Sequence, residues 1–458
     1  KIFYPLSVPL KQKKHELKDV TIRMAVKRTS DEAMDAFEVK LPIIDEKEIH
    51  VLDLFKKISS DQIIRFPFPK PGEKIRKGSV LQSATLTSEP AILKMLTALN
   101  YLSTYQHHCT EQRISRLLPE MAYEDLFRTL GTVRKRKHIR HYMDETLKFL
   151  ERCQSDNGLF SYWPGSRSYV SLTAYVIEFL IEAKKNGYVF KSGMLNRGIR
   201  GLKESLRSDY THFIDGYSFV ERAEALTALA KAGHFDDSYS NELMTRAQSM
   251  DLYSESKILV HLLDRKQKFL MGIDNLKQDL FKSLVFQLRN GKRVYRGLQY
   301  RARSFDGPIP SSEIKTASMV ARALYMAEPD SKKIRPLFDE IISRGDGDGW
   351  GSTSANASAL MALHQFIKKQ ISGRSNYRYR IDFGQGWQSG QTGGNAIWKV
   401  TGYSDVPARL QLLNDTSGKN PHVWLSTRYE YSGGIELYPA RNNGFVVERM
   451  MKLYRKEN

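Results

Sequence analysis

Cysteine is nearly absent: the chain of 458 residues holds two, Cys109 and Cys153. Two thiols allow one bridge at most, which excludes a disulfide framework and leaves the redox compartment undecided. Long apolar runs are missing too. None reaches the roughly 18 residues that a membrane-crossing helix needs. The opening stretch KIFYPLSVPLKQKKHE has no apolar core followed by a small-residue cleavage site, so it does not read as a secretory leader. It also lacks an initiator methionine. A chain that opens on Lys1 reads as a fragment or processed piece of a longer protein. Neither C-x-x-C nor H-E-x-x-H occurs, which removes the commonest zinc signatures.

What is present describes a folded, multidomain chain. Hydrophobic residues make up 41% and aromatics 11%, which excludes a disordered polymer. The length is too great for one core. The net charge is +20, yet Lys and Arg are spread along the whole chain. The one dense run, Val133–His141 (VRKRKHIRH), carries no interleaved aromatics. We read the charge as a generally basic surface, with no nucleic-acid partner.

Hydrophobic periodicity divides the chain in three. Residues 1–88 read as β material: DVTIRMAV, AFEVKLPII and SVLQSATLTSE alternate or run apolar at strand length, around the turn-rich PFPKPGEKIRKG. At Pro90 the period changes. Ile92, Met95, Leu96, Leu99 and Leu102 share one helical face. Look-alike helical segments follow from Ser171, Ala223, Ser254, Thr316 and Asn356, mostly rich in Ala and Leu and closed by Gly, Pro or a basic residue. They form a degenerate array of helical hairpins with units of roughly 30–60 residues. With no strongly polar capping repeat at either end, a closed α/α toroid over 89–372 fits better than an open solenoid. Residues 373–440 return to strands separated by Gly-, Asn- and Ser-rich turns, and 441–458 read as the start of a further domain. The expected architecture is therefore multidomain α plus β, with a central α/α toroid inserted in or flanked by β-sandwich material.

One short stretch concentrates the chemistry. YQHHCTEQ, Tyr105–Gln112, offers four readings of Cys109. A metal site is disfavoured, because consecutive His107, His108 and Cys109 fan outward and cannot all face one ion from a helix; His138 and His141 make a poor site alone. A thiol nucleophile needs a base that the fold would have to supply, and no flanking signature of a thiol enzyme is present. A covalent link is the third reading. The Cys109 thiol can attack the side-chain amide carbonyl of Gln112 and expel ammonia, and i to i+3 spacing at a helix start brings the two within reach. The fourth is a plain buried residue.

Here the sequence resembles a known family. CTEQ matches the C-x-E-Q thioester signature of the alpha-2-macroglobulin and complement superfamily, and the bacterial alpha-2-macroglobulins most of all. TSEPAILKMLTALNYLSTYQHHCTEQRISRLLPEMAY resembles the family's entry into its thioester domain. NGLFSYWPGSRSYVSLTAYVIEFLIEAKKNGY and DGWGSTSANASALMALHQF resemble its later hairpins. The resemblance implies a thioester-bearing region of a broad-range protease inhibitor rather than an enzyme, with no cofactor and no metal. Cys109 would be the leaving thiolate, Gln112 the acyl donor, Tyr105 a shield against water, and Glu111 a motif residue of unassigned role. The partners it implies are attacking proteases, caught through lysine amines, and upstream macroglobulin domains of the same chain. The β segments would be two parts of a CUB-like domain, with 441–458 opening a macroglobulin-like one. The implied address is the periplasm, with any membrane contact through an anchor outside this sequence. One departure stands out: the family has Tyr-Pro-x-Gly before the cysteine, whereas this chain has Tyr105, Gln106, His107 and His108. If that glycine serves an unusual backbone angle, His108 adopts it under strain.

Other residues read more plainly. Cys153, near a helix end, is a structural thiol. His212 is a structural or solvent-facing histidine rather than a residue that redirects the acyl group. Asp346 and Asp348 sit in a loop without the terminal acid of a calcium site. Trp163 and Trp350 serve packing. An α/α-toroid enzyme such as a glycosidase or terpene cyclase would need paired inward carboxylates or an Asp-rich motif, and neither is seen on the repeated helices. An adhesion or scaffold module with an inert CTEQ is the third class.

Overall fold

The computed structural model describes residues 19–27, 34–42, 49–59, 61–87, 90–124, 136–207, 209–213, 218–247, 250–265, 268–289, 292–299, 309, 312–345, 349–370, 377–392, 397–413 and 421–431. The stretch expected to open a further domain, 441–458, and the Asp346 and Asp348 loop lie outside them.

Five strands precede the helices: β1 (Asp19–Lys27), β2 (Met34–Pro42), β3 (Ile49–Lys57), β4 (Ile63–Arg65) and β5 (Leu81–Thr87). Five follow them: β10 (Arg378–Asp382), β11 (Gln388–Gln391), β12 (Ile397–Tyr403), β13 (Arg409–Leu412) and β14 (His422–Glu430). β1 and β2 form a hairpin of their own. The rest interleave. One antiparallel sheet has the order β12-β5-β14-β3, and the other β11-β10-β13-β4. Each sheet therefore draws strands from both sides of the helical stretch. In register, Trp398 lies opposite Leu86, and Leu425 pairs with both Ala84 and Leu54. β14 buries every second residue over most of its length, as a half-buried strand should. The inward residues of both sheets meet in one core that includes Ile64, Leu86, Ile381, Leu410 and Leu425.

Between these strands run twelve helices among the described residues: α1 (Pro90–Thr104), α2 (Thr110–Ala122), α3 (Arg136–Cys153), α4 (Val170–Lys185), α5 (Ser192–Ser205), α6 (Ser218–Lys231), α7 (Asp237–Thr245), α8 (Leu252–Leu263), α9 (Leu270–Lys282), α10 (Glu313–Ala327), α11 (Arg335–Arg344) and α12 (Thr353–Gln370). The even-numbered helices touch one another in sequence: α2 meets α4, then α6, α8, α10 and α12, and α12 returns to α2. This is a closed cycle. The odd-numbered helices pack outside it against helices next to them in the chain, except that α1 also packs on α12 and α11. The Ala- and Ser-rich composition of α6, α10 and α12 lets the inner backbones come close, with Ala223, Ala321 and Ala359 fully buried. Large side chains fill the wedge between α2, α3 and α4, where Leu117, Met143 and Phe179 are inaccessible to solvent.

Two features depart from an all-helical reading of 89–372. A two-residue pairing joins β6 (Phe160–Ser161) to β7 (Ser168–Tyr169), and a longer hairpin joins β8 (Leu284–Arg289) to β9 (Lys292–Leu298). The second carries an Asn290-Gly291 dipeptide between its strands, a strong hairpin signal. Neither runs between the inner helices; β8–β9 leans on α9 and α11 from outside.

Candidate functional site

Helix α2 begins where the CTEQ stretch begins. Cys109 is its N-cap, in extended backbone at φ −68° and ψ 171°, and Gln112 stands at the third helical position. This is a capping box with cysteine in the serine's place. The Gln112 side chain folds back so that its Oε1 accepts from the Cys109 N–H at 3.1 Å, and the Gln112 N–H faces the Cys109 sulfur. The Gln112 side-chain amide is thus held against Cys109. Cys109 is buried and Gln112 half-buried. Burial, with Glu111 nearby, pushes the Cys109 thiol up, although the facing backbone N–H partly offsets this.

Three residues fix the helix start. Thr110 donates through its N–H to the Tyr162 carbonyl at 3.1 Å and through Oγ1 to the Ser161 carbonyl at 2.7 Å. Arg113 Nε donates to the His108 carbonyl at 2.8 Å while its guanidinium lies over the Phe149 ring at 4.5 Å. His108 Nδ1 meets the Tyr142 hydroxyl at 3.2 Å. Burial and the nearby Arg113 lower the His108 pKa. Among the described residues the only non-glycine with a left-handed φ is Asp61. His108 therefore does not adopt the left-handed angle expected of a glycine substitute, and the expected strain is absent.

Glu111 acquires a physical role. Its carboxylate, 4% exposed, accepts from Ser115 Oγ at 2.5 Å and from Thr353 Oγ1 at 2.9 Å and 3.2 Å. Thr353 is the first residue of α12, so Glu111 joins the first turns of α2 and α12 and closes the helical cycle beside the cysteine. Ser115 also contacts the Tyr175 hydroxyl of α4 at 3.0 Å. Burial raises the Glu111 pKa, opposed by Ser115, Thr353 and the charge of Lys315. Glu221 repeats the arrangement between α6 and α4, accepting from the Ser171 N–H at 3.3 Å. First-turn carboxylates in both places also favour the positive ends of their helices.

Tyr105 is half-buried, with its ring 5.5 Å from Tyr101 and 5.6 Å from His107. Cys153 ends α3, buried, and its carbonyl accepts from Ser161 Oγ at 3.0 Å. His212 is exposed, edge-on to Tyr210 at 5.7 Å. His141 is exposed and pairs with Glu145 at 3.5 Å. Trp350 is a packing residue: its Nε1 donates to the Ile341 carbonyl at 2.6 Å. Trp163 differs, being half exposed, with its ring edge-on to Phe149.

No family model matches the chain. Among curated proteins it is 24% identical over 380 residues to the alpha-2-macroglobulin of Escherichia coli strain K12, covering 81% of this chain and 21% of that protein. It is 28% identical over 358 residues to the alpha-2-macroglobulin of Pasteurella multocida, covering 73% of this chain and 18% of that one. The chain thus spans about a fifth of the length of these relatives. Among solved structures, Salmonella alpha-2-macroglobulin reacted with methylamine superposes over 90% of this chain and 26% of its own, with a TM-score of 0.65 at 16% identity. In sequence along most of its length, and in fold, the chain is similar to one part of the bacterial alpha-2-macroglobulins.

Proposed function

We propose that this chain is the thioester-bearing region of a protease inhibitor, and that Cys109 and Gln112 form an internal thioester. The observation that carries this reading is the folding of the Gln112 amide onto Cys109 at the start of α2. In the closing step Cys109 Sγ bonds to Gln112 Cδ and ammonia leaves. The neighbouring Cys109 N–H polarises the carbonyl under attack, as an oxyanion donor does. In the capture step a lysine amine attacks the same carbon, the C–S bond breaks, and the thiolate takes the proton released by the amine. A buried thiol with a raised pKa is a poor leaving group, so the bond is stored while enclosed and becomes reactive once exposed.

The reading extends to the surroundings. The closed cycle of helices is taken as the α/α toroid of a thioester domain, and the two interleaved sheets as the CUB-like β-sandwich that carries it. Tyr105 is taken as the shield of the thioester. The attacking protease would cut an upstream segment and so expose the bond, in a periplasmic protein anchored, where anchored at all, through another part of the chain. The Salmonella relative supports the chemistry, since methylamine is a nucleophile of the kind that opens an acyl thioester.

The test is protease capture. The protein carrying its flanking domains, mixed with a lysine-bearing endopeptidase, should give a conjugate stable to boiling in denaturant and joined at Gln112. Cys109→Ala should give none. A conjugate of equal yield from Cys109→Ala would overturn the reading.

A further inference from the structure

Among the described residues, strands β8 and β9 pair only with each other. Leu284, Tyr295 and Leu298 root this ribbon in the helical core. Its other side chains face outward. Val285 and Val294 are each 40% exposed, and Leu288, near the end of β8, is 71% exposed. Val294 lies opposite Gln287, whose Oε1 accepts from Arg296 Nε at 2.7 Å. Apolar and cationic side chains are thus exposed together on one short ribbon. Exposed aliphatic side chains on a ribbon with open edges are a liability unless something covers them.

Charge tells what covers them. From Leu284 to Leu298 the sequence holds Arg289, Lys292, Arg293 and Arg296, and no Asp or Glu. The two helices on which the ribbon leans are balanced: α9 carries Asp274, Lys277, Asp279 and Lys282, and α11 carries Arg335, Asp339, Glu340 and Arg344. Their carboxylates already meet cations of the same helix. Asp274 lies 3.1 Å from Lys277, Asp279 3.4 Å from Lys282, Asp339 2.9 Å from Arg335 and Glu340 2.8 Å from Arg344. Glu313, close to Gly297, pairs with Arg344 at 3.0 Å. The elements beneath the ribbon therefore do not cancel its positive charge, and its partner is anionic. A second copy of the ribbon would bring like charges together.

We propose that the β8–β9 ribbon docks on the anionic face of a lipid bilayer. Val285, Leu288 and Val294 enter the interfacial region, while Arg296 and the ribbon's positive charge meet headgroup phosphates. A fluid apolar phase closes around single aliphatic side chains, whereas an acidic protein would need a matched pocket for each. The contact is peripheral and reversible, and it does not depend on the thioester.

A net charge of +20 draws the whole chain toward any anionic vesicle, so the ribbon must be separated from the total. Flotation of the full chain compares vesicles of phosphatidylcholine alone with equimolar phosphatidylcholine and phosphatidylglycerol. Binding is expected to the second only, and to weaken as salt rises. Leu288→Ser, which keeps every charge, should weaken it about tenfold, as partial burial of a leucine is worth. Arg296→Gln should weaken it about fivefold. Lys184→Gln, which removes the same charge from an exposed site at the end of α4, should change it far less. A tryptophan introduced by Leu288→Trp should be quenched by brominated acyl chains. Absence of phosphatidylglycerol-dependent binding, full affinity in Leu288→Ser, or equal losses in Lys184→Gln and Arg296→Gln would overturn the proposal. So would binding to polyglutamate with no quenching at position 288, which would assign the ribbon to an acidic protein.

Discussion

At the residue scale, Glu111 shows how a buried carboxylate serves position rather than chemistry. Its raised pKa is a stability statement with a definite sign. Below the ordinary glutamate range the group is protonated in both folded and unfolded chains. As pH rises through that range, the unfolded chain gives up its proton while the folded one keeps it. Stability therefore falls from the ordinary value up to the raised folded value, by about 1.4 kcal/mol for each unit of separation. Glu111→Gln should flatten this dependence, as read by denaturant midpoints across that window. An unchanged slope would show that the carboxylate does not carry it. The Cys109 and Gln112 pair was legible in the sequence because their spacing is local. The Thr353 partner of Glu111 was not, because it lies 242 residues away and no short-range pattern announces it. The ease of the His108 backbone was equally hidden, since a missing glycine signals strain only if the site requires a left-handed angle.

Among the elements, Gly349 sets the entry to α12. Its φ is +80°, and a Cβ there would lie 2.0 Å from Asn356 Oδ1 and 2.9 Å from Ala98 Cβ. Asn356 accepts from the Trp350 N–H at 3.0 Å, so the displaced side chain is one that orders the turn. Gly349→Ala should cost about 1–3 kcal/mol, the usual range for enforced backbone strain, and should be measured by urea unfolding followed through tryptophan fluorescence. An unchanged midpoint would contradict the close approach. The inner helices α4, α6, α8, α10 and α12 were visible as look-alike apolar segments, because small residues and a 3.6-residue period mark a helix buried among helices. The β8–β9 hairpin is not legible among the helical segments, although an Asn-Gly pair stands between its strands in the sequence. Short apolar runs such as LVFQL fit strand or helix equally, and neighbouring helices biased the choice.

For the whole molecule, the shared sheets make the strands before the helices, β3–β5, and those after them, β10–β14, one unit. The alternation of β14 tells which of its faces is buried; it does not tell which strand lies beside it, and partners such as β5 and β12 are separated by the entire helical stretch. Ending the chain after Gln370 would remove both neighbours of β5 and the partners of β3 and β4. Amide exchange should then lose protection across Leu81–Thr87 while Val176–Leu180 of α4 stays protected. Retained protection in β5, or its loss in α4, would contradict that division. The claim on which the functional account rests is the bond between Cys109 and Gln112, and intact mass tests it most directly. Freshly purified wild-type protein should be one ammonia lighter than its sequence, and methylamine should add once, at Gln112, freeing the Cys109 thiol. Cys109→Ala should show neither effect, and Cys153→Ala both. A wild-type protein of full sequence mass, with Cys109 titrating as an ordinary thiol and Gln112 an unmodified amide, would contradict the account.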